Sequence, residues 1–348
     1  MIIVMQVCGG KNPGGAEAHF LRFCIELDKF DGIQVVPVVR KHSWLEAQFK
    51  ALGVACHSLP FLGRFDLWTR YQLKQIAQKT RAQVTQCWMS RAASSMPKVP
   101  GTLNIGRLGG YYALKNFHTM DWLVGATDDL RRHIIEGGHD ADKTAVIPNF
   151  VNPPNPEVAA DTAHLKTKLG LQNKQVLFTP ARLHPVKGLD LALTALSELP
   201  DEFCYVIAGQ GPEEAVLKQQ AMALGIAERV KFIGWTDNIS QYCYLSDAFL
   251  VPSNREPFGS VLLEAWSHRL PLISSDSEGA QAITTADQNA LLFKRGDSDE
   301  LKQQILTLFS DPALQTQLIE QGFKEYQSRY TTQSVLGQYV ALYQTLSG

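Results

Sequence analysis

The feature that most constrains this chain is a twofold alternation of short apolar runs with helical patterns, broken once by Pro153-Pro154-Asn155-Pro156. Before the break, strand-like runs at 2–7, 33–39, 54–59, 84–88, 102–106, 122–126 and 144–147 alternate with helical patterns at about 16–28, 43–52, 66–80, 111–120 and 128–137. After it, strands near 175–180, 203–208, 230–233, 248–251, 271–274 and 290–293 alternate with helices near 188–198, 212–224, 238–246, 260–268 and 298–310. Repeated strand-helix-strand units build a parallel sheet covered on both faces. Three prolines in four residues suit neither a helix interior nor a central strand, so they mark a linker. The expectation is an α/β chain of two Rossmann-like domains with a cleft between them, residues 1–152 and 153–330. A length of 348 residues agrees, being too great for one typical core. The stretch from about 312 to 346 is helical in pattern, and Phe323, Tyr326, Tyr330, Tyr339 and Tyr343 suit it to packing against either domain.

Hydrophobic content of 45% and charged content of 19% are those of a soluble globular protein. Met1 runs straight into Ile2-Ile3-Val4, which reads as a first strand and not a leader, and no apolar run approaches the ~20 residues that span a bilayer. A cytoplasmic location is expected. The six cysteines are scattered without a CxxC pair, as reduced core residues would be. No Asp-x-Asp triplet ends a strand and no metal-ligand spacing occurs, so no metal is expected.

The net charge of -1 conceals an asymmetry: residues 1–152 carry 18 Lys/Arg against 12 Asp/Glu, and the remainder 15 against 22. Within 60–115, Arg64, Arg70, Lys74, Lys79, Arg81, Arg91, Lys98, Arg107 and Lys115 face the single acid Asp66, with Phe61, Phe65, Trp68 and Tyr71 interspersed. Such a block fits an anionic acceptor, an anionic membrane surface or nucleic acid, or else a solvated basic face over inward aromatics.

Residues 247–266 read as strand, polar loop and helix start, the layout of a ligand site in an open α/β sheet. The loop holds Glu256, and Glu264 lies one turn into the helix that opens near Ser260. Carboxylates beside an anion-binding helix start suit a sugar nucleotide, whose hydroxyls they would accept from while its phosphates meet the backbone. The plainer alternative makes Glu256 a helix cap and Glu264 a solvated side chain.

Four more strand-end turns resemble this one. Cys8-Gly9-Gly10-Lys11-Asn12-Pro13-Gly14-Gly15-Ala16-Glu17 lets backbone approach a phosphate, or is a plain turn; its glycines fit neither GxGxxG nor a Walker A lysine. Thr179 to Gly188 places Arg182 and Lys187 where two cations would hold a diphosphate, with His184 between them. Such cations stabilise the charge that grows on a departing diphosphate, without a metal. Gly209-Gln210-Gly211-Pro212 and Phe232-Ile233-Gly234-Trp235 are weaker signals, Trp235 lying beside a base or simply capping the core.

Together these residues resemble the retaining glycosyltransferases of group 1 (glycosyltransferase family 4). The likeness runs from Gly14-Gly15-Ala16-Glu17 through Ile147-Pro148-Asn149, Arg182-Leu183, Lys187-Gly188 and Gly209-x-Gly211-Pro212 to Glu256-x7-Glu264. Within the family, Arg107 to Tyr112 and Glu256 to Trp266 resemble bacterial enzymes of surface polysaccharide or lipopolysaccharide assembly. The resemblance implies a GT-B fold, with an N-terminal acceptor-binding domain completed by a C-terminal helix 331–348 and a C-terminal donor-binding domain. It implies that Arg182 and Lys187 hold the donor diphosphate, with Gly14, Gly15, Gly209, Gly211 and Trp235 about the donor. Glu264 would take the ribose hydroxyls, and Glu256 with the Phe258, Gly259, Ser260 and Val261 backbone the sugar and phosphate. Glu17 and Arg107 are acceptor-side candidates. The implied reaction moves a sugar from a UDP- or GDP-sugar to a glycan or lipid-linked acceptor, with retention and without a cofactor or metal, peripherally on the inner face of the cytoplasmic membrane. Nucleic acid is then not a partner.

Three positions depart from the pattern: Ala282 stands where many relatives carry a glutamate, the border reads Asn149-Phe150-Val151-Asn152, and Arg107 stands where some relatives have a histidine loop. Two rival functions use the same architecture, a nucleotide-sugar epimerase and an inactive nucleotide-sugar or glycan-binding module.

Overall fold

In the computed structural model, which describes residues 1–63, 65–157 and 162–347, the apolar runs form two separate parallel sheets. Arg64 of the basic block lies outside the described residues. The first sheet contains β1 (Ile2–Cys8), β2 (Ile33–Arg40), β3 (His57–Leu59), β4 (Val84–Trp88), β5 (Leu103–Leu108), β6 (Trp122–Gly125) and β7 (Thr144–Val146), in the order β3-β2-β1-β4-β5-β6-β7. The second contains β8 (Gln175–Pro180), β9 (Phe203–Ala208), β10 (Val230–Gly234), β11 (Ala248–Val251), β12 (Leu272–Ser275) and β13 (Leu291–Phe293), in the order β10-β9-β8-β11-β12-β13. All neighbouring strands in both run parallel.

Strands covered on both faces are mostly apolar, and β4, β9, β11 and β12 are buried along their whole lengths, the few polar side chains in β4 and β12 included. Each sheet grows outward from its first strand, then returns to that strand's other side. This places a topological switch point between β1 and β4 and another between β8 and β11, and open α/β sheets take ligands beyond the carboxyl ends of the strands at such points.

The chain divides into Met1–Asn149 with Thr332–Gly348, and Phe150–Thr331. The last helix, Thr332–Ser347, is tied to the first sheet by a buried polar chain. Tyr343 donates to Gln86 Oε1 at 2.7 Å, Gln6 Nε2 donates to Tyr343 at 3.2 Å, and Trp88 Nε1 donates to Gln6 Oε1 at 2.8 Å. Beside this chain Tyr339 packs edge-on to Phe23, ring centres 4.8 Å apart.

The two Rossmann-like sheets are those expected from the alternation, and the differences are local. The helix expected at 111–120 is only a single 3-10 turn, Leu114–Phe117, because Phe117 is drawn into the core and the chain turns again at Met120. Three helices were not legible: Met89–Ser95, Thr162–Lys168 and Glu278–Ile283. At six or seven residues each is under two turns long, too short for a 3.6-residue apolar period to show. The terminal helical stretch breaks after Pro312–Glu325 into one π turn, Tyr326–Tyr330, and resumes at Thr332.

Candidate functional site

At the second switch point the ends of β8 and β11 are locked together. Tyr205 donates to Thr179 Oγ1 at 2.6 Å, and that hydroxyl donates to the Leu250 carbonyl. The loops beyond are stitched by Asn254, whose N–H donates to the Val186 carbonyl at 2.9 Å and whose side chain donates to the Pro185 carbonyl at 3.2 Å. Gly188 adopts φ +62°, and a Cβ there would lie 2.1 Å from the Pro252 carbonyl oxygen. Only glycine lets the two loops lie this close.

Across this contact the Lys187 ammonium donates to a carboxylate oxygen of Glu256. The side chains are 23% and 15% exposed, so the pair is screened by solvent less than a surface ion pair is. Arg182 leaves the same β8 loop. Its side chain is exposed and, among the described residues, has no hydrogen-bond or ion-pair partner.

The position of Arg182 is set by the turn after β9. A Cβ on Gly209 would come within 2.0 Å of the Ala181 carbonyl oxygen, and one on Gly211 within 2.1 Å of that of Leu183. Ala181 N–H donates to the Ala208 carbonyl at 2.9 Å and Leu183 N–H to the Gln210 carbonyl at 3.1 Å. The two glycines therefore clasp the backbone on either side of Arg182.

After β11, Gly259 at φ +79° opens the helix Ser260–Ser267. The Phe258 ring is buried edge-on to Tyr330 at 6.3 Å, so this residue offers its backbone and not its side chain to the surface. Ser260, Val261 and Glu264 are half-buried on the helix's first turns. The β12 loop closes underneath: Gly279 N–H donates to the Glu256 carbonyl at 2.6 Å, and a Cβ there would strike the Phe258 carbonyl oxygen at 2.4 Å. Ala282 is exposed on the helix Glu278–Ile283, while Glu278 is bound to Arg295 at 3.1 Å. Trp235 is 50% exposed beyond the edge strand β10, its indole N–H directed at Asp237 at 3.2 Å.

The structure thus gathers Arg182, Lys187, Glu256, Gly209 and Gly211 at one switch point, with Phe258 to Glu264 continuing from it. Trp235 lies two strands away at the sheet edge. The pairing of Lys187 with Glu256 was not legible, since the two are 69 residues apart and share no local pattern. Among the described residues, no three His, Cys, Asp or Glu side chains gather as metal ligands would.

In the first unit, the turn after β1 leads into the helix Gly15–Leu27. A Cβ on Gly10 or Gly14 would come within 2.2 or 2.7 Å of the Glu17 carboxylate, so these glycines make room for Glu17 folded back over the loop. Burial raises the Glu17 pKa above the usual carboxylate value. Gly15 is exposed, and a Cβ there would meet nothing within 4 Å. Arg107, next to the end of β5, is only 4% exposed, stacks over Trp88 at 4.6 Å and donates to Asn149. Burial, then the charge of Arg107, then that of Arg22 hold His19 well below the usual imidazole pKa, so His19 is neutral near pH 7. Trp88 is not marked out by the sequence motifs, though a tryptophan ending a buried strand was the available signal; Asn149 is marked as part of Ile147-Pro148-Asn149, but not as the partner of Arg107.

A family model described as glycosyl transferases group 1 matches residues 161–325. Among curated proteins, the lipopolysaccharide core biosynthesis glycosyltransferase LpsD of Rhizobium meliloti (strain 1021) is 30% identical over 353 residues, covering 98% of this chain and 97% of that protein. LpsE of the same organism, with the same description, is 27% identical over 341 residues, covering 94% and 95%. Among solved structures, Anabaena HepE in complex with UDP and glucose superimposes with a TM-score of 0.85 at 18% identity, covering 99% of this chain and 100% of that one.

Proposed function

Because this chain belongs to the group 1 glycosyltransferases, we propose that it transfers a sugar, with retention of anomeric configuration, from a nucleoside diphosphate sugar to a glycan or lipid-linked acceptor of lipopolysaccharide core assembly. The observation that carries this reading is the convergence of Arg182 and the Lys187–Glu256 pair at the β8/β11 switch point, beside the Gly259 helix start. The similarity to LpsD and LpsE supports the acceptor class, and the UDP bound by HepE supports a uridine donor ahead of a guanosine one.

In this reading Arg182 and Lys187 bind the diphosphate, and the backbone of the Ser260 helix start faces the phosphate. Glu264 accepts from the ribose hydroxyls and Glu256 from hydroxyls of the sugar. As the bond from the anomeric carbon to the phosphate oxygen breaks, its electron pair stays on the diphosphate, and the two cations stabilise the added charge. The acceptor oxygen bonds to the same face of the anomeric carbon and passes its proton to the departing phosphate oxygen. No protein nucleophile and no metal takes part. Gly14, Gly15, Gly209, Gly211 and Trp235 border the donor, and Glu17 and Arg107 serve the acceptor side, Arg107 by holding Trp88 and Asn149 in place.

Calorimetric titration of UDP, GDP and ADP separates donor classes. UDP binding that weakens on Glu264→Ala and Lys187→Ala is the expected result. Equal binding of all three nucleotides, unchanged by either substitution, removes the assignment.

A further inference from the structure

In the loop after β3 and the first turns of the helix Leu67–Thr80, large apolar side chains stand in solvent: Leu62 is 76% exposed, Phe65 90%, Leu67 73%, Trp68 61% and Tyr71 55%. A folded protein rarely leaves five such groups in ten residues open to water unless they meet something apolar. The segment is held in that shape from within. Asp66, itself buried, accepts from Leu62 N–H at 2.8 Å, from Thr69 N–H at 2.9 Å and from the Thr69 hydroxyl at 2.6 Å. Thr69 Oγ1 accepts from Phe61 N–H at 3.1 Å, and Arg91 donates to the Phe61 carbonyl at 3.1 Å. These bonds turn Phe61 inward and leave Leu62 and Phe65 outward.

Within the stretch that carries the patch the charge is almost all of one sign. Asp66 is the only acid between 60 and 115, and it is spent on the turn; Lys74 and Lys79 are exposed farther along the same helix. Trp68 and Tyr71 lie together, ring centres 6.2 Å apart, between the apolar tip and these lysines. Apolar tip, then aromatic pair, then cations is the order of chemistry met on passing from the acyl chains of a bilayer through its interface to anionic headgroups.

We propose that Leu62 and Phe65, with the first turns of the helix Leu67–Thr80, dock this protein on an anionic lipid bilayer, Leu62, Phe65, Leu67 and Trp68 entering the interface and Lys74 and Lys79 meeting the headgroups. Arg91 ties the docking loop to the turn after β1: a Cβ on Gly9 would lie 2.9 Å from its side chain. The bilayer thereby comes to the same carboxyl edge of the first sheet as Glu17 and Arg107. That last point rests on the acceptor reading above; the docking does not.

The test is co-flotation of the full chain, without donor or acceptor, with phosphatidylcholine vesicles and with vesicles holding about 30% phosphatidylglycerol. The expected result is binding to the anionic vesicles only, weakened by salt, and reduced about tenfold or more by Phe65→Ser with Trp68→Ser and by Lys74→Glu with Lys79→Glu. Phe65→Ser alone, at the most exposed position, serves if the double variant loses its melting transition. Absence of vesicle binding by the unaltered protein, or binding that none of these variants changes, overturns the proposal, as does capture of a protein partner through this patch without affinity for lipid.

Discussion

The Lys187 ammonium and the Glu256 carboxylate meet across the two loops that leave β8 and β11, joining the strands that flank the switch point of the second sheet. One charged pair therefore fixes both the cation assigned to the leaving group and the carboxylate assigned to the sugar. Lys187→Ala is expected to lower kcat/KM by the equivalent of roughly 2–4 kcal/mol. Glu256→Gln should cost less, and the double variant less than the sum, because neighbours in contact couple by about 0.5–3 kcal/mol. Strict additivity in a double-mutant cycle would separate the two roles.

Arg182 is exposed and borders no other side chain's hydrogen bonds, so Arg182→Ala should leave the melting temperature unchanged while lowering kcat. A loss in KM alone, with kcat intact, would make it a ground-state binder and not a leaving-group stabiliser.

Gly211→Ala forces a Cβ to 2.1 Å from a backbone carbonyl that has no side chain to move away. The backbone on one side of Arg182 must shift, at a cost of about 1–3 kcal/mol in stability. Nucleotide affinity should fall with it, whereas Gly15→Ala, which meets nothing within 4 Å of its own unit, should leave stability untouched. Denaturant melts of the two variants make the comparison.

Glu17 carries a pKa raised by burial, so the folded chain binds a proton more readily than the unfolded chain. Its contribution to stability is full below the usual carboxylate pKa of about 4.5 and is lost as pH rises through the higher folded value. Glu17→Gln should therefore gain stability relative to the parent above that window and lose the difference below it. Melting curves at pH 4 and 8 read the sign directly.

Tyr343 joins the last helix to Gln86 and Gln6 in a buried network. Tyr343→Phe leaves two amide groups short of a partner, and a loss of about 1–3 kcal/mol is expected. An equally stable variant would show that packing of Tyr339 and its neighbours holds the helix alone.

The alternation of apolar runs made both sheets legible because strands buried on two faces are mostly apolar, with few polar residues such as Gln6 and Gln86 to interrupt them. Glu256, Arg182 and Lys187 were legible as strand-end residues, since the loop beyond a strand is where such a sheet offers side chains to a ligand. Lys187 facing Glu256 was not, because a pairing set by strand order leaves no mark on either local stretch. Gly209 and Gly211 were read as room for a ligand, yet their immediate neighbours are the carbonyls of Ala181 and Leu183, which only the packing reveals. The short helix at Met89, like the inward turn of Arg107 onto Trp88, depends on tertiary contacts and not on local pattern.

The most direct measurement follows the anomeric proton by NMR while the enzyme converts a UDP-α-sugar in the presence of a core oligosaccharide acceptor. An α-linked product appearing in step with UDP is the predicted result. A β-linked product, or a donor epimerised without release of nucleotide, would contradict retaining transfer at the Lys187–Glu256 site.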